Sequence, residues 1–418
     1  MSLTSRFPAL ASRDYQLFLA GQFVSVIGTW MQNTAQPYLA YRLSHSSFDL
    51  GLIGFATALP TVILALPAGV YVEHMDKRKA VIILQSAMAL LAFVLSALTF
   101  ANLIQIWHIA LIAFLFGSAS AVEITARQAM LIELAGREAL PSAIALQTTA
   151  FNLGRILGPT LAAPFMVTGN EGMAFFANGV SFVFVIVGLL FARTRYKVEP
   201  EAEDEDKTWW AEFGEGLAYI RQNTVVATII LMAALFGFFG ISLLQQVPAF
   251  AADVLQTPFD TEQIVAQRTS QLYIAQGVGA LMAASLAAYF SASRRKGIML
   301  TVGQMFFIVG LLSLGLVRLH VIALGLLAFI GYGSVTQLVT MNTIIQLRVP
   351  NGLRGRVFAV YLWALQGATP FGNLLVGWVA QNWRASAAAL MGGIILLVTF
   401  TILHLLNPRV RQTRLNAG

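Results

Sequence analysis

Long apolar runs recur along this chain of 418 residues, and they constrain its fold more than any other feature. Each run is close to the roughly 20 residues that a helix needs to cross the hydrocarbon core of a bilayer. Only 11% of the residues are charged, whereas about 25% is typical of soluble domains. The sequence therefore predicts an all-α membrane protein with twelve spanning helices. The predicted spans are 15–41, 48–72, 80–102, 107–127, 142–167, 173–193, 224–250, 270–291, 298–317, 320–346, 356–380 and 386–407.

The basic residues orient these spans. Most of the 26 lysines and arginines fall in loops on one side, including 77–79 and 294–296. An excess of lysine and arginine marks the cytoplasmic loops of membrane proteins. We therefore expect a multi-pass protein of the bacterial inner membrane with both termini in the cytoplasm. Because the positive charge is spread over many short loops, it does not indicate nucleic-acid binding. The predicted outer loops contain Arg42, Arg268, Arg318 and Arg384.

Chemical motifs of enzymes are missing from the sequence. The chain has no cysteine and five scattered histidines, which excludes disulfides and thiol catalysis and gives no metal-ligand spacing. It also lacks a P-loop and an H-E-x-x-H motif. We expect neither enzymatic activity nor a bound cofactor or metal.

A short acidic segment divides the chain into two halves. Residues 199–206 carry six carboxylates, and the following segment to residue 221 has the spacing of an amphipathic helix lying on the membrane surface. The predicted organisation is a six-helix half at 1–198, a cytoplasmic linker at 199–223 and a second six-helix half at 224–418. Such repeats are typical of transporters with a site near the midplane between them. We expect a monomer, since two halves enclose a cavity without a partner.

The loop after the second span combines a glycine, an acid and a basic cluster, from Gly69 and Glu73 through Asp76 to Lys79. It resembles the signature loop of the major facilitator superfamily, although Asp76 stands where that loop usually has glycine. The alternative is an ordinary basic cytoplasmic loop. The resemblance implies the major facilitator fold, with two pseudo-symmetric six-helix halves. It also implies a conformational latch in which Glu73 contacts Arg127. The latch residues are Gly69, Glu73, Asp76, Lys77, Arg78 and Arg127.

The fifth span contains the sequence GRILGP, from Gly154 and Arg155 to Gly158 and Pro159. It resembles the motif of drug/proton antiporters in the same superfamily, which implies export. Two glycines four residues apart share a helix face and admit a close neighbour, while proline frees a backbone carbonyl. Simple close packing of membrane helices explains the same spacing.

Two charged residues lie inside predicted spans. An arginine at the bilayer centre costs about 2.5–3.5 kcal/mol unless it is paired or hydrated, so Arg155 is either a substrate contact or a partner of polar neighbours such as Asn152. Glu123 is the candidate for proton coupling. An ion pair with Arg127, four residues later, is the simpler explanation of Glu123.

Uncharged amides and aromatic residues recur in the first, seventh and tenth spans. These spans line the central cavity in the superfamily that the chain resembles. Amides among aromatics suit an amphipathic ligand bound with few orienting hydrogen bonds, although amides also tie membrane helices together. The candidate cavity residues are Trp30, Gln32, Asn33, Gln36, Arg155, Phe236, Phe239, Gln245, Gln246, Tyr332, Gln337 and Asn342.

Three segments are similar to one branch of the superfamily, which contains enterobactin exporters and macrolide efflux pumps. They are 18–31, 126–129 and 353–357. Many members of this branch have an acid where Thr29 stands here, so the resemblance does not place a proton carrier at that position. It implies alternating-access export of an amphipathic small molecule, such as a drug or siderophore-like metabolite, by proton antiport, with protons and membrane lipids as further partners. Lipid or lysophospholipid flipping, and a transport-inactive receptor or assembly scaffold, are the alternatives.

Overall fold

The computed structural model describes residues 7–73, 75–192, 209–257, 260–289 and 295–412. Nearly all of this part of the chain is helical. The predicted acidic segment 199–206 lies outside it. Six long helices occupy the first half: α1 Arg13–Ser44, α2 Ser47–Glu73, α3 Lys77–Phe100, α4 Ile106–Ala135, α5 Leu140–Val167 and α6 Glu171–Phe191.

The second half follows a linker helix at Trp209–Gln222 and also contains six long helices. The last helical stretch, Asn351–Leu406, is interrupted at Trp383 and Arg384, and Arg384 has a φ of 73°. This break separates α11 at 351–382 from α12 at 385–406. The predicted all-α architecture of twelve spanning helices in two halves is thus confirmed. The first four helices of this half are α7 Thr224–Val254, α8 Glu262–Tyr289, α9 Lys296–Leu316 and α10 His320–Arg348.

The helices differ in how apolar they are. Among the described residues, eight helical stretches are long and apolar enough to cross a membrane, and one of them, Gly352–Leu406, contains both α11 and α12. Helices α1, α5 and α8 are not among the eight, because amide, hydroxyl and charged side chains interrupt their apolar sequence. Polar groups inside a membrane need partners from the protein. The polar side chains of α1, α5 and α8 are therefore the first candidates for a functional role.

Contacts divide the chain into two compact units. Each unit consists mainly of one half of the sequence and also contains a short segment of the other half. Unit 1 comprises Met1–His45, Ala56–Glu201 and Phe259–Ile274. A cluster of buried apolar residues, including Tyr15, Phe18 and Met130, joins its helices near one end. The segment 259–274 is held by Tyr38, whose hydroxyl donates to the backbone oxygen of Glu262 at 3.1 Å.

Unit 2 comprises Ser46–Phe55, Ala202–Pro258 and Ala275–Gly418. Its segment of the first half is the start of α2. The backbone N–H of Ser47 donates to Oε1 of Gln381 at 2.7 Å, and Nε2 of Gln246 donates to the Ser47 oxygen at 3.2 Å. These bonds fix the beginning of α2 against α7 and α11.

Helix α7 is irregular at its middle, which the apolar sequence of the predicted span 224–250 did not indicate. It changes to π-helix at Phe236–Ile241 and to 3-10 helix at Ser242–Gln246. Gly237 lies so close to α11 that a Cβ atom there would overlap the backbone oxygen of Leu365. The Ser242 hydroxyl donates to the Thr369 oxygen at 3.1 Å. Close contact with α11 therefore accompanies the change in helix type. Short π-helical turns within an α-helix are frequent at functional sites.

Candidate functional site

The two glycines of α5 form the seam on which the site is built. A Cβ atom on Gly158 would lie 2.8 Å from the Trp30 carbonyl carbon and 2.9 Å from the Met31 nitrogen. A Cβ atom on Gly154 would lie 2.6 Å from Cγ1 of Val26. Helix α1 thus packs directly on the glycine face of α5, where no larger residue fits without a backbone shift. Pro159, also buried, continues this helix.

Arg155 lies beside this seam and stacks on an aromatic pair. Its guanidinium carbon is 5.5 Å from the centroid of the Trp30 ring, and Trp30 in turn makes an edge contact with Phe151 at 5.4 Å. Such cation–π contacts contribute about 0.5–2 kcal/mol. The predicted polar partner, Asn152, donates instead to the Thr148 oxygen at 2.9 Å. We call Trp30, Phe151 and Arg155 the arginine–aromatic cluster.

The cation of this cluster has no counter-ion among the residues that the structure describes. Within the described ranges, no hydrogen bond or ion pair involves Arg155, and its buried Nε has no acceptor. The side chain is only half-buried and Phe151 is 50% exposed, so a ligand can reach the cluster from one side. An uncompensated cation next to apolar rings can bind an amphipathic molecule through a negative or hydrogen-bond-accepting group.

Glu123 is buried within unit 1, and its carboxylate is hydrogen-bonded to two neighbouring side chains. It accepts hydrogen bonds at Oε1 from Nε2 of Gln85 at 2.8 Å and from Nε of Arg127 at 3.0 Å. The structure therefore contains the ion pair within α4 that the spacing suggested. The side chain of Glu73 lies outside the described part of the structure, so its contact with Arg127 stays a prediction.

The described residues of the signature loop secure helix ends. Arg78 donates to the backbone oxygens of Leu189 and Leu190 at 2.7 and 2.9 Å, at the end of α6. Nζ of Lys77 lies 3.3 Å from the carboxylate of Glu133 on α4. Asp76 caps α3, accepting from the Lys79 backbone N–H at 3.0 Å. Capping gives a physical reason for Asp76 at a position where glycine is usual.

Replacing Asp76 with alanine is expected to lower the unfolding free energy by about 0.5–2 kcal/mol, because the first turn of α3 loses its cap. Asp76→Gly should cost only a few tenths of a kcal/mol, since glycine is tolerated at this helix position. Thermal unfolding of the two purified variants measures the difference. An Asp76→Ala midpoint equal to that of the unaltered protein would show that the capping bond does not stabilise it.

In the first half, one of the predicted cavity amides, Gln32, is bonded to another helix. Nδ2 of Asn178 on α6 donates to Oε1 of Gln32 at 2.7 Å, and Nε2 of Gln32 donates to Oε1 of Gln36 at 3.1 Å. These buried amides join α1 to α6. Asn33 is exposed and, with Trp30, stays accessible to a ligand.

In the second half, some of the predicted cavity residues are packed against other helices and others are half-buried. Phe236 is buried against Phe307 at 5.0 Å, Tyr332 contacts Phe306 on α9 at 5.1 Å, and Gln246 binds the start of α2. Gln337 is fully buried, and neither of its side-chain polar atoms has a partner in the described part of the chain. The half-buried members are Phe239, Gln245, Tyr332 and Asn342, the last bonded to Gln346 at 2.7 Å.

A buried carboxylate at the start of α6 was missed by the sequence analysis. Glu171 is fully buried and pairs with Arg42 of α1, Oε2 to Nη2, at 2.9 Å. The prediction started the sixth span at residue 173 and placed Arg42 in an outer loop. An acid directly at the edge of an apolar run, with a single arginine in a preceding loop, was the available signal.

Glu171→Ala is expected to lower the unfolding free energy by about 1–3 kcal/mol, because Arg42 would lose a buried acceptor. Combining it with Arg42→Leu should restore part of that loss, since no unpaired cation remains. Thermal midpoints of the single and double variants test this coupling. Glu138→Ala, at an exposed acid, is the control, and additive effects of the two changes would contradict the prediction.

Comparison with known proteins supports a single family. Residues 4–416 match the model of the transmembrane secretion effector family. The multidrug efflux pump Tap of Mycolicibacterium fortuitum is 26% identical over 99% of this chain and 98% of its own length. The enterobactin exporter EntS of Shigella boydii serotype 18 is 23% identical over 99% of this chain and 95% of its own.

The fold also matches solved transporters. A bacterial homologue of the human lysosomal transporter Spinster, in an inward-facing and unoccupied conformation, superposes with a TM-score of 0.73 and 12% identity, covering 97% of this chain and 98% of that one. At this identity the likeness concerns the fold alone. Because the family model spans almost the whole sequence, the chain belongs to the transmembrane secretion effector family of the major facilitator superfamily, and it is a multi-pass membrane transporter rather than an enzyme.

Proposed function

We propose that this protein exports a hydrophobic or amphipathic small molecule by alternating access, with proton entry driving the export. It acts as a monomer in the bacterial inner membrane with both termini in the cytoplasm. The amino-acid bias of its loops supports this orientation, since lysine and arginine concentrate on the side assigned to the cytoplasm.

The arginine–aromatic cluster is the observation that carries the proposal. It combines an accessible apolar ring, Phe151, with a stacked tryptophan and a cation that no side chain in the described part of the chain neutralises. A large apolar molecule gains from burial against the rings, while its polar group meets Arg155. A small hydrophilic solute would use few of these contacts.

The names of the relatives favour outward transport. One is a multidrug efflux pump and the other an enterobactin exporter, and each aligns with nearly the whole chain. Gly154 and Gly158 of α5 pack on α1, within the segment that resembles the motif of drug/proton antiporters. These two lines of support agree on export.

Proton entry supplies sufficient energy. One charge moving through 100 mV releases about 2.3 kcal/mol, enough to hold a concentration gradient of about fortyfold at about 1.4 kcal/mol per tenfold. Glu123 and Glu171 are two buried carboxylates of unit 1 that can be tested as carriers. Each is paired with an arginine, so protonation would release that arginine as well.

The test is efflux of lipophilic dyes and antibiotics from cells that express the protein, with and without a protonophore. We expect extrusion that the protonophore abolishes, and we expect Glu123→Gln or Glu171→Gln to remove the proton dependence. Glu138→Gln is the control, because this acid is exposed.

Three outcomes would decide against parts of the proposal. Extrusion unaffected by the protonophore would rule out proton coupling. Retention of proton dependence in both carboxylate variants would exclude these two residues as carriers. If well-expressed protein extrudes none of the compounds but moves fluorescent phospholipid between leaflets of proteoliposomes, lipid flipping replaces export as the function.

A further inference from the structure

A cavity lies in unit 2. Its volume is about 990 Å³, at the upper end of the roughly 300–1,000 Å³ usual for small-molecule pockets. One wall is a face of α9, with Ile298, Met305 and Ile308, and the other is a face of α12, with Leu397 and Leu405. We call it the α9–α12 groove.

The groove opens sideways, along the surface that faces lipid. Met305 is 60% exposed, Leu397 45% and Leu405 74%, although all three are large apolar residues in membrane-spanning helices. Exposed apolar side chains on such helices contact the acyl chains of the bilayer. The groove is therefore a recess in the lipid-facing surface.

One end of the groove is strongly basic. Arg295 and Arg411 line it, and the lining contains no acidic residue. A Cβ atom on Gly297 would lie 2.6 Å from the Arg411 carbonyl carbon, so the start of α9 and the C-terminal Pro408–Arg411 helix meet here. Neither arginine has a hydrogen-bond or ion-pair partner in the described ranges. Both cations are thus available to an anion.

The start of α9 adds to this positive end. Helix α9 is 21 residues long, and no side chain caps its first turn at Arg295. The dipole of a helix of this length favours an anion at this position. Deeper in the groove, Gln304 and His404 are bonded to each other at 2.8 Å, so the arginines are its free charged groups.

The length of the groove matches one leaflet. From Arg295 to Ile308 the α9 wall runs about 20 Å at 1.5 Å per residue. Half of a hydrocarbon core of about 30 Å, plus the headgroup region, has a similar depth. A lipid whose phosphate lies at the arginines would therefore place an acyl chain along the apolar wall.

We propose that the α9–α12 groove binds one anionic phospholipid, with its phosphate between Arg295 and Arg411 and an acyl chain against α9 and α12. Neutral or zwitterionic lipids bind more weakly, because basic recesses between membrane helices favour anionic headgroups. The site lies wholly within unit 2 and does not depend on the proposed export function.

The experiment is native mass spectrometry of the full-length protein in detergent, titrated with phosphatidylglycerol or phosphatidylethanolamine. We expect preferential binding of one phosphatidylglycerol. The double variant Arg295→Gln/Arg411→Gln should bind it about thirtyfold more weakly, at about 1 kcal/mol per arginine. The control Arg221→Gln/Arg348→Gln removes the same charge from exposed residues outside the groove and should bind normally.

A second pair of variants tests the apolar wall without changing charge. Thr401→Trp places a large ring in the groove and should reduce phosphatidylglycerol binding, whereas Ile402→Trp, at the next residue and outside the lining, should not. Gel filtration and thermal midpoints establish that each variant is folded, and the smaller Thr401→Leu takes the place of Thr401→Trp as the blocking variant if the tryptophan unfolds the protein. Retained binding in folded Thr401→Trp would overturn the proposed acyl-chain path.

Further outcomes would overturn the proposal. Equal affinity for the two lipids would show that the groove does not select an anionic headgroup. Equal losses of phosphatidylglycerol binding in both double variants would show that the binding depends on the overall surface charge and not on the groove. Displacement by inorganic phosphate alone would indicate a free-anion site. Binding that appears only after deletion of residues 413–418 would identify the C-terminal segment as the occupant of the groove.

Discussion

Replacing Arg155 with glutamine is expected to reduce transport by about tenfold or more, because a charge-assisted contact with substrate contributes about 1.5–3 kcal/mol. The same change should leave stability equal or raise it. Arg155 has no counter-ion within the described ranges, and a membrane arginine without one carries an insertion penalty of about 2.5–3.5 kcal/mol. Transport rates per folded molecule and thermal midpoints measure the two effects separately.

The Arg155→Lys variant distinguishes the effect of the positive charge from the effect of the planar guanidinium group. It keeps the cation but lacks the planar group that stacks on Trp30, so we expect partial transport. Arg318→Gln, which removes one exposed charge, is the matched control. A loss of stability in Arg155→Gln with unchanged transport per folded molecule would assign Arg155 a structural role only.

Gly158→Val is expected to abolish transport and to lower stability. The added side chain would meet the backbone of Trp30 and Met31, 2.8–2.9 Å from the position of its Cβ, and backbone cannot move aside as a flexible side chain can. Overpacking costs about 1–3 kcal/mol, and the forced separation of α1 from α5 would also displace Trp30 from Arg155. Thermal unfolding and dye efflux are the measurements.

The control for this substitution is Gly325→Val in α10. No heavy atom lies within 4 Å of a Cβ built there, so the same β-branched residue is introduced without a steric contact. Both transport and stability should persist. If Gly158→Val behaves like Gly325→Val, the close approach of α1 to α5 is not needed for function.

Much of the fold could be predicted because a bilayer imposes a length and a hydropathy on each helix. The predicted span 142–167 corresponds to α5 at Leu140–Val167, and the predicted gap between 380 and 386 contains the break at Trp383 and Arg384. The irregular turns of α7 could not be predicted in this way. They accompany contacts of Gly237 and Ser242 with α11, which lies more than 100 residues away in sequence.

The candidate site was predicted in part. Glycines at the spacing of Gly154 and Gly158 indicate a close helix contact whatever the partner, and a lone arginine in an apolar span indicates a functional site or a pair. The sequence did not show that Gln32 and Phe236 face neighbouring helices, since an amide or a ring has the same hydropathy on either side of its helix. It also placed Glu171 outside the membrane.

The sequence by itself determined that this chain crosses a bilayer many times, which superfamily it resembles and which residues are unusual for an apolar environment. Those properties follow from local composition and spacing, because the membrane acts on each segment independently. Only the tertiary structure decided that Arg155 stacks on Trp30 with no counter-ion among the described residues, that Glu171 is neutralised by Arg42, and that α9 and α12 leave a basic groove. Each of these depends on which face of a helix meets which neighbour, and that choice is made by packing between segments far apart in the chain.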